Sequence, residues 1–446
     1  MTDNLTGDLY TALCDIPLID PHSHIDPYAP VSRSLDDILN YHYYTELAHS
    51  AGMSQAPLGK DVPPRERVRA IIGHMGRFDN TTQYSWFLEI ARTFLGFTGD
   101  RLTAADADGL FDAAERVFNQ PDWEKQVFEK TKLESIFLTN EFDELLTDFD
   151  TKKYVPCLRT DSLVFHLDKP RIRERLAEAT GIDVVDAQTL RKATWKLFAR
   201  FKAKGAKACA ISLPPDFTPL HIPDAEFDRA LHAVAKDSPI AKAVFGGVQF
   251  ARIVTGTSSP QDATPQAAAA MGVFWTLAEH CREFELPFDL MIGVNRRVYE
   301  NGVYQGQDLF DQRTSLHQYK SLFNAFPEVT FPVSVLTSGQ NQELVAYSWI
   351  FPNVLPNGHW WYSNVPAYIR PDLTERLQAV PKTKLIGYYS DAYKLEFVLP
   401  KYNMYRRTLA GVLADEFVRP GRFTETEAVG LGKRLLRDNV REIFKV

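Results

Sequence analysis

Leu18-Ile19-Asp20-Pro21-His22-Ser23-His24-Ile25-Asp26-Pro27 is the stretch on which the reading of the whole chain turns. Apolar Ile16, Leu18 and Ile19 run into an acid, and two histidines follow one residue apart. Side chains alternate faces along a strand, so residues i and i+2 point the same way. His22 and His24 are therefore expected to leave one side of a strand end together, a placement that suits two imidazoles on one divalent ion. The triplet alone is a weak signal in a chain with 11 histidines. The apolar strand before it and the proline-bounded loop after it give it weight.

The chain has 446 residues, 45% hydrophobic and 24% charged, an ordinary balance for a globular protein. A net charge of −7 speaks against partnership with nucleic acid or an anionic membrane surface. The opening Met-Thr-Asp-Asn-Leu-Thr-Gly-Asp has neither a basic start nor an apolar core, so no secretory leader is expected. No apolar run approaches the ~20 residues of a membrane span. Cys14, Cys157, Cys209 and Cys281 are widely spaced with no CxxC, and read as reduced thiols of a cytoplasmic protein.

Downstream of the first strand, Ser34 reads as the cap of a helix reaching about Gly52, and residues 61–130 carry helical patterns without a convincing strand. Apolar runs then return at Leu133–Leu138, Tyr154–Leu158, Ala206–Leu213, Leu286–Val294, Val329–Leu336, Val354–Leu355 and Thr383–Tyr389. Most gaps between them hold a helix-period segment. In one, positions 190, 194, 197, 198 and 201 form a single stripe. Another is expected to start at Pro371-Asp372, with proline in the first turn. Eight strands alternating with helices predict one α/β domain over residues 1–446, a (β/α)8 TIM barrel with a helical insertion at 61–130. An open doubly wound sheet is the rival, but no GxGxxG follows the first strand.

Barrel sites lie at the C-terminal ends of the strands. The polar residues expected there are His22 and His24, then Arg159 with Asp161, then Arg296, then Asn357-Gly358-His359-Trp360-Trp361, and finally Asp391. Closure sets the eighth strand beside the first, bringing Asp391 to the histidine pair. A His2Asp set leaves coordination positions open, as catalytic rather than structural sites do. Each residue also has a plainer reading: Asp391 as a helix cap, Arg159 in a surface ion pair, Trp360-Trp361 as core.

HxH on the first strand with Asp391 on the last resembles the amidohydrolase superfamily, and within it the uronate isomerases. The likeness is carried by His42-Tyr43, Arg159, Ile292-Gly293-x-x-Arg296, Asn357-Gly358-His359-Trp360-Trp361-Tyr362, and Asp391 followed by Tyr405-Arg406-Arg407-Thr408-Leu409. The resemblance implies a metal-dependent isomerase that converts D-glucuronate-type hexuronates to their ketoses. It implies one divalent ion, zinc by preference, at His22, His24 and Asp391. Asp391 would also act as proton acceptor, with His42 and Tyr43 contacting substrate oxygens. Arg159 and Arg296 would bind the sugar acid beside Trp360 and Trp361. Self-association into a homo-oligomer is left open.

Departures from the family are equally specific. Its His-Tyr-Lys-Trp-Arg is His42-Tyr43-Tyr44-Thr45-Glu46 here, its strand-five His is Met291, and its strand-four Ser-Asp-His is Cys209-Ala210-Ile211. Its Asp-Ser-Arg is Asp391-Ala392-Tyr393. A carboxylate at Glu46 would repel a uronate. Either Glu46 faces away and the two arginines hold the substrate unaided, or the substrate is not a simple hexuronate. Two other functions stay open: a hydrolase or decarboxylase acting on another small carboxylated substrate, and a non-catalytic sugar-binding barrel. Hydrolases of the superfamily often carry further histidines on strands five and six or a bridging strand-four lysine. Strands five and six here have no histidine, and Lys207 sits too early in its strand to reach the metal.

Overall fold

Parallel strands and helices alternate in the computed structural model, which describes residues 4–235 and 263–446. β1 (Leu18–Asp20), β2 (Leu133–Phe137) and β3 (Tyr154–Val155) form a three-stranded parallel sheet in that order. β4 (Cys157–Arg159), β5 (Ala208–Leu213) and β6 (Phe288–Ile292) belong to a second sheet, while β7 (Val294–Asn295) and β8 (Leu309–Phe310) make a separate antiparallel ribbon. β9 (Phe331–Ser334) and β10 (Val354–Pro356) complete the second, five-stranded sheet, ordered β10-β9-β6-β5-β4. Covered on both faces, such strands need no polar side. Every residue of β6 and β9 is buried.

The sheets meet at two places. Asn140 bridges Leu158 in parallel, and Asn357 bridges Ile386 in the segment following β10. That segment then reaches β1: Asp391 N–H donates to His22 O at 3.1 Å, and His24 N–H to Ala392 O at 2.8 Å. Ile19, Phe137, Val155, Cys157, Ala208, Ala210 and Ile386 pack into one cluster, plugged by Val440 and Phe444 of the C-terminal helix. Residues from the first, middle and last strand segments thus share one interior.

Between β1 and β2 the regular elements are helical, among them Pro64–Met75, Thr82–Leu95, Ala107–Phe118 and Trp123–Thr131. Glu396, fully buried, ties this region to the chain that follows the run Thr383–Tyr389. It accepts hydrogen bonds from Trp123 Nε1 at 2.7 Å and Ser32 N at 2.9 Å. In the helix Ala187–Ala203 the expected stripe is buried in full: Leu190, Thr194, Leu197, Phe198 and Phe201.

Four local expectations are corrected. The helix expected from Ser34 to Gly52 is two helices, Leu35–Leu39 and His42–Ser50, because Tyr41 is extended (φ −62°, ψ 130°). Tertiary contacts hold it so: its ring packs against Phe397 and its hydroxyl donates to Asp391 O at 2.8 Å. The helix expected at Pro371 begins at Pro366, and Pro371 lies inside it. Both prolines satisfy the same rule, and tertiary structure chose the earlier one. The run Tyr154–Leu158 is split at Pro156, which has no N–H for a ladder, so β3 pairs with β2 and β4 with β5. Among the described residues the eighth run, Thr383–Tyr389, pairs only through the single bridge at Ile386. On its β1 side the Asp20 carboxylate takes the place of a backbone acceptor, receiving Ser390 N–H at 3.0 Å.

Candidate metal centre and substrate cavity

β1 ends at Asp20, and the extended chain beyond it sends His22 and His24 to one side while Ser23 turns away to donate to Phe137 O at 2.6 Å. The two imidazoles lie 5.3 Å apart, centroid to centroid, nearly perpendicular. Asp391 closes the set: its Oδ1 is 3.6 Å from His22 Nε2 and 3.3 Å from His24 Nε2. Among the described residues this is the one group of three or more His, Cys, Asp or Glu side chains whose ligand atoms all lie within 4.8 Å.

Two observations test whether these residues fit a metal. His22 Nε2 and Asp391 Oδ1 are buried and lack any hydrogen bond to other protein groups. The distances of 3.6 and 3.3 Å from Asp391 Oδ1 to the two imidazoles also match the about 3.4 Å between neighbouring ligands that each lie about 2.1 Å from a tetrahedral ion. The donor set fits a divalent ion.

Burial pulls the His22 imidazole down, but Asp391, Asp289 and Asp20 outweigh it, and the net shift is upward. His24, with only Asp391 close, is lowered by burial. Burial pushes Asp391 up, yet the two imidazoles hold it far below the ordinary carboxylate range. Behind them sit two acids that burial raises to about 6, Asp20 and Asp289. Asp289 Oδ2 is 4.0 Å from His22 Nδ1, while its Oδ1 accepts from Asn357 Nδ2 at 3.0 Å. At that distance Asp289 makes no hydrogen bond to the ring and acts on His22 through its charge.

The three residues open onto a cavity of about 880 Å³, mouth included, whose walls also carry His42, Arg159, Arg296, Trp360, Trp361 and Tyr393. Eight of the nine residues singled out for the site therefore share one cavity. Tyr43 does not. The His42 and Tyr43 rings lie 4.3 Å apart at the start of their helix, but His42 is the one that lines the cavity. The Tyr43 ring is buried against Trp86 at 6.0 Å, and its hydroxyl has no partner. Tyr43, expected to contact substrate oxygens, is not among the residues that line this cavity.

Glu46 is not a wall of the cavity; its Oε1 accepts from His42 Nδ1 at 2.8 Å, one helical turn away. Nor do the arginines stand unaided. Arg159 Nε donates to Asp161 Oδ2 at 3.2 Å, and Arg296 Nη1 to Asp308 Oδ2 at 2.6 Å. Arg159 is about one-third exposed and Arg296 about half, so each keeps donors free toward the cavity. Tyr393, two residues after Asp391, stacks on His24 at 4.8 Å.

Backbone strain collects here. Asp391 (φ 52°) and Trp361 (φ 44°) are left-handed without being glycine. Gly358 (φ 52°) has the Tyr389 ring 2.3 Å from where a Cβ would stand, so only glycine fits. Sequence reasoning passed over Asp289 and Asp308. For Asp289 a signal existed: it is the lone charge in the apolar run Phe288-Asp289-Leu290-Met291-Ile292. Asp308 stands in a polar loop and had none.

No family model matches the chain. Uronate isomerase of Caulobacter vibrioides is 28% identical over 206 aligned positions, a match spanning 41% of this chain and only 42% of that protein. Uronate isomerase of Nostoc punctiforme is 21% identical over 477 positions, spanning 99% of this chain and 95% of that one. Among solved structures, uronate isomerase from Thermotoga maritima superposes with a TM-score of 0.86 at 19% identity, covering 100% of this chain and 98% of that one. The chain is thus similar over its whole length to proteins named uronate isomerase and shares their α/β fold.

Proposed function

We propose that this chain is a metal-dependent aldose–ketose isomerase acting on hexuronates. The observation that carries the proposal is the His22–His24–Asp391 cluster, with unpartnered buried ligand atoms, at the floor of a cavity that also holds two arginines. Zinc suits two imidazoles and a carboxylate. A divalent ion held there supplies positive charge against the negative charge that develops on the sugar oxygens.

The chain's own residues do the rest. Asp391 takes the proton from C2 of the open-chain sugar and returns it to C1 while the O2 hydroxyl proton passes to O1, so that the C1 carbonyl becomes a hydroxyl, C2 becomes the ketone and no net proton is gained or lost. His42, held by Glu46, presents its other ring nitrogen to substrate hydroxyls. The unshared donors of Arg159 and Arg296 meet the sugar carboxylate, and Trp360 and Trp361 line the same cavity. We also read the two sheets as one closed (β/α)8 barrel, with residues 61–130 as an insertion in a single domain. The bridges at Asn140 and Asn357 and the bond from Asp391 N to His22 O support closure.

The test is an NMR screen of zinc-loaded protein against glucuronate, galacturonate and glucose. Ketose signals are expected from a uronate and not from glucose. Conversion of glucose in preference, or of no uronate at all, would overturn the proposal.

A further inference from the structure

We infer that Lys401 is a positioning residue for Asp391: together with Tyr41 it locks the left-handed backbone that aims this carboxylate at His22 and His24. The inference rests on the reading of Asp391 as a metal ligand.

Lys401 lies in the helix Val398–Leu413 and is wholly buried. Its Nζ donates to Ser390 O at 2.7 Å and to the Tyr41 hydroxyl at 3.1 Å, and that hydroxyl donates in turn to Asp391 O at 2.8 Å. Ser390 O and Asp391 O belong to the two peptide units that flank the Asp391 Cα. Holding both carbonyls fixes rotation on either side of that carbon, which is what a non-glycine residue at φ 52° requires. The Asp391 N–H is held as well, by His22 O at 3.1 Å.

Packing alone does not explain a lysine here. Among the described residues no carboxylate lies within salt-bridge distance of it, and Asp391 and Asp20 act on it only as more distant charges. Its charge faces the rings of Trp86, Tyr41 and Tyr43 at 4.8, 5.1 and 5.2 Å. Burying a cation without an ion pair is unfavourable, and a methionine of similar length would fill the space at no such cost. What the ammonium adds is its grip on Ser390 O and Tyr41. The cage also gives Tyr43 a place in the molecule away from the cavity: it is one of the walls.

Zinc binding to metal-free native protein, Lys401→Met and Tyr41→Phe, followed by competition with a chromophoric chelator beside thermal melting, tests this. Loss of a group bonded directly to a ligating side chain costs about 10–100-fold in metal affinity, and a support acting through the ligand's backbone is expected at the lower end of that range. Lys401→Met is expected to melt close to native yet bind zinc at least about tenfold more weakly, and Tyr41→Phe, which keeps the lysine but cuts its link to Asp391 O, several-fold more weakly. A lysine with a merely structural role would move the melting temperature and leave affinity alone. Affinities within twofold of native in both variants would overturn the inference, and if Lys401→Met does not fold, Tyr41→Phe decides alone. Failure of the native protein to take up zinc would instead bring down the ligand reading, and the inference with it.

Discussion

Glu46→Ala should slow turnover without weakening the fold. The carboxylate accepts from His42 Nδ1 at 2.8 Å, with the two side chains 20% and 9% exposed. A hydrogen bond to a charged group is worth about 1.5–3 kcal/mol, which is roughly 10–150-fold if it acts only while substrate reacts. As a contributor to helix stability the same i,i+4 pair is worth only about 0.3–0.5 kcal/mol. The kinetic effect therefore outweighs the structural one. Removing a negative charge near the cavity eases repulsion of an anionic sugar, so KM for a uronate should hold or fall while kcat drops about tenfold or more. Glu46→Gln keeps a neutral acceptor and should lose less. Imidazole 15N spectra give a second readout that needs no turnover: native His42 should carry its proton on Nδ1, and Glu46→Ala should lose that preference. Gly306 offers an independent approach, since a Cβ there would meet Glu46 Cγ at 2.5 Å and push the carboxylate off His42. If Glu46→Ala melts like native, turns over within twofold of native and keeps the Nδ1–H tautomer, the pairing has no bearing on His42.

Asp391→Asn should retain part of the bound metal, because an amide oxygen still coordinates, yet lose at least about 100-fold in kcat, the scale of a general base; a near-native rate would leave Asp391 a ligand only. Arg159→Lys should raise KM for glucuronate strongly, since lysine lacks the planar fork that can serve Asp161 and a substrate carboxylate together; an unchanged KM would show that the carboxylate binds elsewhere. Glu396→Ala should cost about 3 kcal/mol or more in denaturant unfolding, because it orphans the buried donors Trp123 Nε1 and Ser32 N; a loss below about 1 kcal/mol would mean that solvent reaches them.

The strands and the helix stripes were legible in the sequence because burial writes itself as period. Leu18-Ile19, Phe288 to Ile292 and the stripe from Leu190 to Phe201 each carry their own pattern, and alternation alone puts His22 and His24 on one side. The neighbourhood of Asp391 and these histidines, 367 positions apart along the chain from His24, was approached only through the assumption that strand eight lies against strand one. Glycine and proline positions marked several boundaries but did not choose between candidates. Pro366 and Pro371 satisfy one rule equally, and the packing of the whole helix selected the first.

What local pattern cannot carry is direction and partnership between distant residues. Tyr43 follows a cavity residue in sequence, yet its ring lies against Trp86 and Lys401. Glu46, where the resemblance suggested repulsion of substrate, is absorbed by His42 one turn back. Lys401 is unremarkable in composition, and only the fold reveals a buried ammonium against Ser390 and Tyr41. Local pattern was enough to mark where most strands and helices lie and which chemical groups stand near their ends, because those depend largely on neighbours within a few residues. Tertiary structure alone decided which of these groups meet, how each is aimed and which charges are neutralised, because those depend on contacts whose partners lie far apart in the chain.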